Sequence, residues 1–95
     1  MIIHESQQIH KRFFEAIYEL IKRKTIRGKR TFVKRYSLNL GNFYLLEHDS
    51  DMLFQPAYLT WLVRDYGISS QWLLTGDGPM FQVDKQALLT VNKKG

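Results

Sequence analysis

The 95-residue chain contains no cysteine and only two prolines. The first absence excludes a disulfide framework and a thiolate metal site, and it favours an intracellular setting. No apolar run approaches the ~20 residues that a helix needs to cross a bilayer, and the opening MIIHESQQIHKR lacks the apolar core of a signal peptide. A cytoplasmic protein without membrane association is the expectation. The six glycines form neither a GxGxxG nor a P-loop pattern, so no phosphate cradle of those kinds is present. Histidines are scattered at His4, His10 and His48, and no serine stands in a nucleophile motif. Glu15 and Glu19, an i,i+4 pair beside Arg12 and Lys22, read as surface electrostatics rather than acid–base chemistry. The run His48-Asp49-Ser50-Asp51 offers too few oxygen ligands and no glycine at its turn, so it reads as a solvated loop and not a metal site. No enzyme, cofactor or small-molecule substrate is expected.

Acidic residues are scarce in one half. The first 36 residues hold ten of the fourteen Lys and Arg against three acids, and from Lys22 to Arg35 there are eight basic residues and no acid. Segregated charge of this kind suits a surface that neutralises phosphates, although a solvated basic loop would look the same.

Apolar residues are plentiful, at 44%, and their spacing is helical. Ile9, Phe13, Ile17, Leu20 and Ile21, with Phe14 and Tyr18 widening the stripe, predict a first helix over about residues 5–24, begun near Glu5 or Ser6 and closed by the cations Lys22, Arg23 and Lys24. The loop TIRGKR follows. Thr31 is the expected cap of a short second helix through Tyr36, and Asn39 of a third that runs on to Glu47. Phe32, Val33, Tyr36, Leu38, Phe43 and Leu46 then share one core, and the turn Ser37-Leu38-Asn39 joins the two helices. Such a pair is a helix-turn-helix, whose second helix leaves a face free for a DNA major groove. Pro56 opens a fourth helix that carries Tyr58, Leu59, Leu62 and Val63 and stops at Gly67, with Trp61 either core or partner-facing. A short fifth helix is capped by Ser69 or Ser70, Thr75 to Pro79 turns the chain, and Met80 to Val83 alternates like a short strand.

The stretch FVKRYSLNLGNFYLLE, together with YGISSQWLLTGDGPMF at residues 66–81, resembles the helix-turn-helix domains of phage-repressor-like (lambda-repressor-like) transcriptional regulators. The second stretch is similar to the x-W-L-L-x-G-x-G-P-M close of such domains. The resemblance implies an all-α, five-helix DNA-binding domain over residues 1–81, with residues 82–95 a C-terminal extension that is either dimerising or flexible. It also implies sequence-specific binding of double-stranded DNA in the regulation of transcription.

The residues assign roles within that frame. Arg27, Lys29, Arg30, Thr31, Lys34 and Arg35 are the expected phosphate contacts, from the basic loop and the exposed side of the second helix. Asn39, Leu40, Gly41, Asn42, Tyr44 and Leu45 are the expected base-contacting set. Only Asn39, Asn42 and Tyr44 in it carry polar groups, and Leu or Tyr would have to meet thymine methyls or sugars. Glu47 would repel phosphate, so a structural hydrogen bond is its expected role. Trp72, Leu73, Leu74, Met80, Phe81, Val83, Leu88 and Leu89 exceed what the back of a short helix easily buries and predict a homodimer, with Trp72, Leu73, Met80 and Phe81 at its interface. A second reading keeps the scaffold but gives it a protein partner, with Leu40 and Leu45 as contacts. Binding of single strands through stacked aromatics is weaker, because most aromatics fall on core positions.

Overall fold

A computed structural model describes residues 4–49 and 54–82. The apolar stripe of the first third of the chain forms α1 (His4–Lys22), followed by α2 (Lys29–Arg35), α3 (Leu40–His48), α4 (Ala57–Tyr66) and α5 (Ser70–Thr75). The described residues form a compact all-α domain without strands. The strand expected after Met80 reduces to one antiparallel bridge between Ile68 and Phe81, and its last residue, Val83, lies outside the described residues. Of the C-terminal extension only Gln82 is described, its amide donating to the carbonyls of Val63 and Ile68 at 3.1 and 3.0 Å; residues 84–95 also lie outside.

Two helices stop on a left-handed residue other than glycine, and both do so in the same way. At the end of α1, Lys24 adopts a left-handed φ of 63°, while Thr25 N–H donates to Leu20 O and Lys24 N–H to Ile21 O, each at 2.9 Å. At the end of α2, Ser37 has φ 56°, Leu38 N–H donates to Val33 O at 2.9 Å and Ser37 N–H to Lys34 O at 3.2 Å. Each pair is the six-to-one and five-to-two set of a Schellman motif, which satisfies carbonyls that the helix end leaves open. The first stop ends α1 two residues before the expected Lys24. The second forms the turn between α2 and α3 and brings apolar Leu38 back against the core.

The caps divide into those that agree with expectation and those that do not. Asn39 Oδ1 accepts from Asn42 N–H at 2.9 Å and Ser69 Oγ from Trp72 N–H at 3.2 Å. Gly67 (φ 71°) and Gly76 (φ 83°) close α4 and α5 in the left-handed region. Thr31, by contrast, is not a cap. The cap lies three residues earlier, with Gly28 at the N-cap position and Lys29 opening the helix, and Thr31 N–H donates back to Gly28 O at 3.1 Å. Pro56 occupies the N-cap position of α4, one residue ahead of the expected first turn.

Phe13 stands at the centre of the core. Its ring meets those of Phe14, Phe32, Phe43 and Phe54 edge-on, with centroids 4.9, 5.8, 6.1 and 5.1 Å away, so one side chain of α1 touches α2, α3 and the approach to α4. Full burial of such a ring contributes about 2–3 kcal/mol, and its edge-to-face geometry adds to that. Leu62, Ile68 and Leu73 complete the core from the other side. Tyr36 stacks on Trp61 at 4.2 Å and donates to Asp65 at 2.5 Å, which makes Trp61 part of the packing of α2 against α4. Two residues depart from the expected pattern: Tyr18 is exposed, and Ile26, in the supposedly solvated loop, is buried.

Candidate nucleic-acid interface

The third helix turns Phe43 and Leu46 into the core and leaves Gly41, Asn42, Tyr44, Leu45 and His48 exposed. Four of the six expected base-contacting residues therefore lie on one open face. Leu40 does not belong with them. It is half-buried and packs against the core, because its position three residues before Phe43 puts it on the inward side of the helix. Asn39 is exposed, but its side-chain oxygen is committed to the cap, leaving its amide NH2 as the available group.

A partly buried cluster fixes this helix to its neighbours. Lys29, the first residue of α2, donates its ammonium to Glu47 Oε1, while Tyr18 of α1 donates its hydroxyl to Glu47 Oε2. The Lys29 ammonium also lies 4.7 Å from the Tyr18 ring centroid and 5.2 Å from that of Tyr44. Burial raises the Glu47 pKa, but hydrogen bonds from Lys29 and Tyr18 and the Lys29 charge outweigh it, so the carboxyl sits below its ordinary value. For Lys29, burial acts to lower the pKa, and the bonds to Glu47 and Tyr18 outweigh it in turn, so the ammonium holds its proton above the usual lysine range. Glu47 thus has the structural bond expected of it. Lys29, expected as a phosphate contact, has its charge paired with Glu47 within the domain.

Other cations do face water. Arg27, Arg30 and Lys34 are exposed and make no ion pair among the described residues. Arg35 is exposed but partly engaged. Its guanidinium lies 3.4 Å from the Tyr66 hydroxyl and 3.8 Å from Asp65, over the rings of Tyr36 and Tyr66. Thr31 is exposed, but its N–H is bonded, so only its hydroxyl is open to an anion. Asp65 is held well below the usual carboxylate range, first by hydrogen bonds from Arg64 and then from Tyr36.

The expected dimer residues are mostly engaged within the domain. Leu73 is 1% exposed and belongs to the core, so a partner could reach it only by opening the domain. Trp72, Met80 and Phe81 are half-buried against the same core, and the Phe81 ring carries the Arg23 guanidinium at 4.0 Å. The open apolar side chain of α5 is instead Leu74, 52% exposed. It borders a groove of about 350 Å³ between α4 and α5, lined also by Leu59 and Val63. Leu74 belongs to the apolar excess of this segment in the sequence, and what the sequence does not show is which of the two adjacent leucines faces outward. Among the described residues no group of His, Asp or Glu could hold a metal ion, and no helix is long and apolar enough to cross a membrane. No family model, curated protein or solved structure matches the chain.

Proposed function

We propose that the protein binds duplex DNA sequence-specifically through α3 and acts as a transcriptional regulator of the phage-repressor-like, helix-turn-helix type. One observation carries the reading. Arg27, Arg30 and Lys34, exposed and without ion pairs among the described residues, come from α2 and the loop that leads into it, and α2 packs directly on α3, whose outer face is open. Phosphate contacts from such cations would set the register of the helix on the duplex, and side chains of α3 would meet base edges. The only acid of α3, Glu47, supports this arrangement because its charge is already matched by Lys29.

The protein is proposed to act as a two-fold dimer, with half-sites about 34 Å apart. Leu74 and the groove between α4 and α5 replace Leu73 as the surface for that pairing. A second reading, a helical module that binds a protein, is favoured by Leu45, which is 59% exposed. Selection of bound sequences from a pool of random duplexes separates the two. Enrichment of a sequence supports the regulator, whereas absence of binding at low salt by folded protein leaves the protein-binding module.

A further inference from the structure

The outer face of α3 has an unusual balance for a surface that meets bases. Its exposed residues are Gly41, Asn42, Tyr44, Leu45 and His48, and the most exposed large apolar side chain on it is Leu45. Gly41 carries no further message, because a Cβ there would lie 3.3 Å from the capping Asn39 Oδ1, which accounts for a small residue without any ligand. Tyr44 is drawn toward Lys29, 5.2 Å from its ring. Leu45 has no such neighbour. In the major groove only thymine, through its C5 methyl, presents an apolar group; every other edge presents donors or acceptors. A leucine pressed on those edges strips water from a polar group and offers nothing in return, whereas against a methyl it buries apolar surface on apolar surface.

We infer that Leu45 reads a thymine C5 methyl and that Asn42, one turn away on the same face, reads an adjoining adenine, so that the protein selects duplexes by methyl contact more than by charged base readout. This rests on the DNA-binding reading above. Asn42 and Leu45 are three residues apart, a rise of about 4.5 Å, which keeps both side chains within reach of neighbouring base pairs spaced about 3.4 Å. The Asn42 side chain has no hydrogen bond among the described residues, since only its backbone N–H serves the cap. An asparagine amide pairs with adenine N6 and N7. The cations Arg27, Arg30 and Lys34 supply the charge complement that a duplex, and not an apolar protein groove, would satisfy.

The test uses the full chain and the duplex enriched by selection. Thymines are replaced one at a time by deoxyuridine, which removes the methyl and keeps every hydrogen-bonding group. The expected result is a loss of affinity of about fourfold, the worth of one buried methyl, at one or two positions, and no further loss at those positions in Leu45→Ala. Because Leu45 is exposed, the variant keeps its helical circular dichroism. Tight binding that is indifferent to every deoxyuridine, or a selection that enriches no sequence while salt-sensitive binding persists, overturns methyl readout and leaves DNA binding standing. A folded protein that binds no duplex at low salt overturns both.

Discussion

His10 Nε2 lies 2.7 Å from the backbone carbonyl of Leu46, in a contact that is buried. A carbonyl only accepts, so the proton sits on Nε2. Leu46 belongs to the last turn of α3, where carbonyls lack a partner within the helix. Elsewhere on α1, Arg12 does the same for α5, donating from Nε to Leu73 O at 2.8 Å and from Nη2 to Leu74 O at 3.1 Å. One long helix therefore closes the C-terminal ends of two short ones, and with Arg12 it adds a positive charge that complements the helix dipole. Helices as short as α3 and α5 do not persist on propensity alone, so their order depends on such docking.

Arg12→Leu is expected to lower stability by about 1–2 kcal/mol, the range for removing a hydrogen bond from a charged donor to a carbonyl that stays partly buried, that of Leu73. Chemical denaturation measures the change, and hydrogen exchange should place its largest effect on the amides of α5. A uniform fall in protection across all five helices would count against a specific role in closing α5.

The Lys29–Glu47 pair gives stability a defined pH window. Glu47 has a folded pKa below its unfolded value, so its contribution is present above the ordinary carboxylate range, about pH 4.3, and is lost as pH falls through the lower folded value. Lys29 has a raised folded pKa, so its contribution is complete below about pH 10.4 and is lost as pH rises through the higher folded value. Glu47→Gln is expected to cost about 1–3 kcal/mol near neutrality and to flatten the acid limb of the stability profile. An unchanged acid limb would show that other carboxylates govern it.

Ser37→Gly should stabilise the domain. At φ 56° a side chain costs about 1–2 kcal/mol, and the added freedom of the unfolded chain returns about 0.4–1 kcal/mol of that, leaving a net gain on the order of 0.5 kcal/mol. A higher denaturation midpoint with an unchanged slope is the expected signature.

Replacing Arg27, Arg30 and Lys34 together by alanine should weaken DNA binding on all sequences alike and make the plot of log affinity against log salt shallower by about 2–3 units, near one for each phosphate that is no longer neutralised. Lys29→Ala should act differently, lowering stability through Glu47 with little change in that slope beyond what unfolding causes. Equal slopes for the triple variant and the unaltered protein would remove these three cations from the interface.

Leu74→Asp is expected to abolish self-association in sedimentation equilibrium while leaving the helix content intact, since Leu74 is exposed beside the groove between α4 and α5. Leu73→Asp should instead unfold the domain, because it buries a charge in the core. A monomeric mass for the unaltered chain at tens of micromolar would restrict pairing to the DNA-bound state.

What the sequence alone determined is what short-range physics decides. The apolar spacing of Phe13, Ile17 and Leu20 selected a helix and its inward face; Asn39 and the pair Ser69-Ser70 announced two caps, and Gly67 a stop, because each acts on backbone groups within a few residues. Tertiary structure decided whatever depends on a distant partner. Lys29 reads as an open cation until Glu47, eighteen residues later, and Tyr18 are brought against it. Leu73 and Leu74 are adjacent and chemically alike, yet one is core and the other surface, because the packing of α5 against α1 and α4 sets its rotation. Lys24 and Ser37 end their helices in a conformation that their own side chains disfavour, so the stop comes from the core pulling Ile26 and Leu38 inward and not from the residue at the turn. In each case the local pattern admits two outcomes of similar energy, and contacts between residues far apart along the chain choose between them.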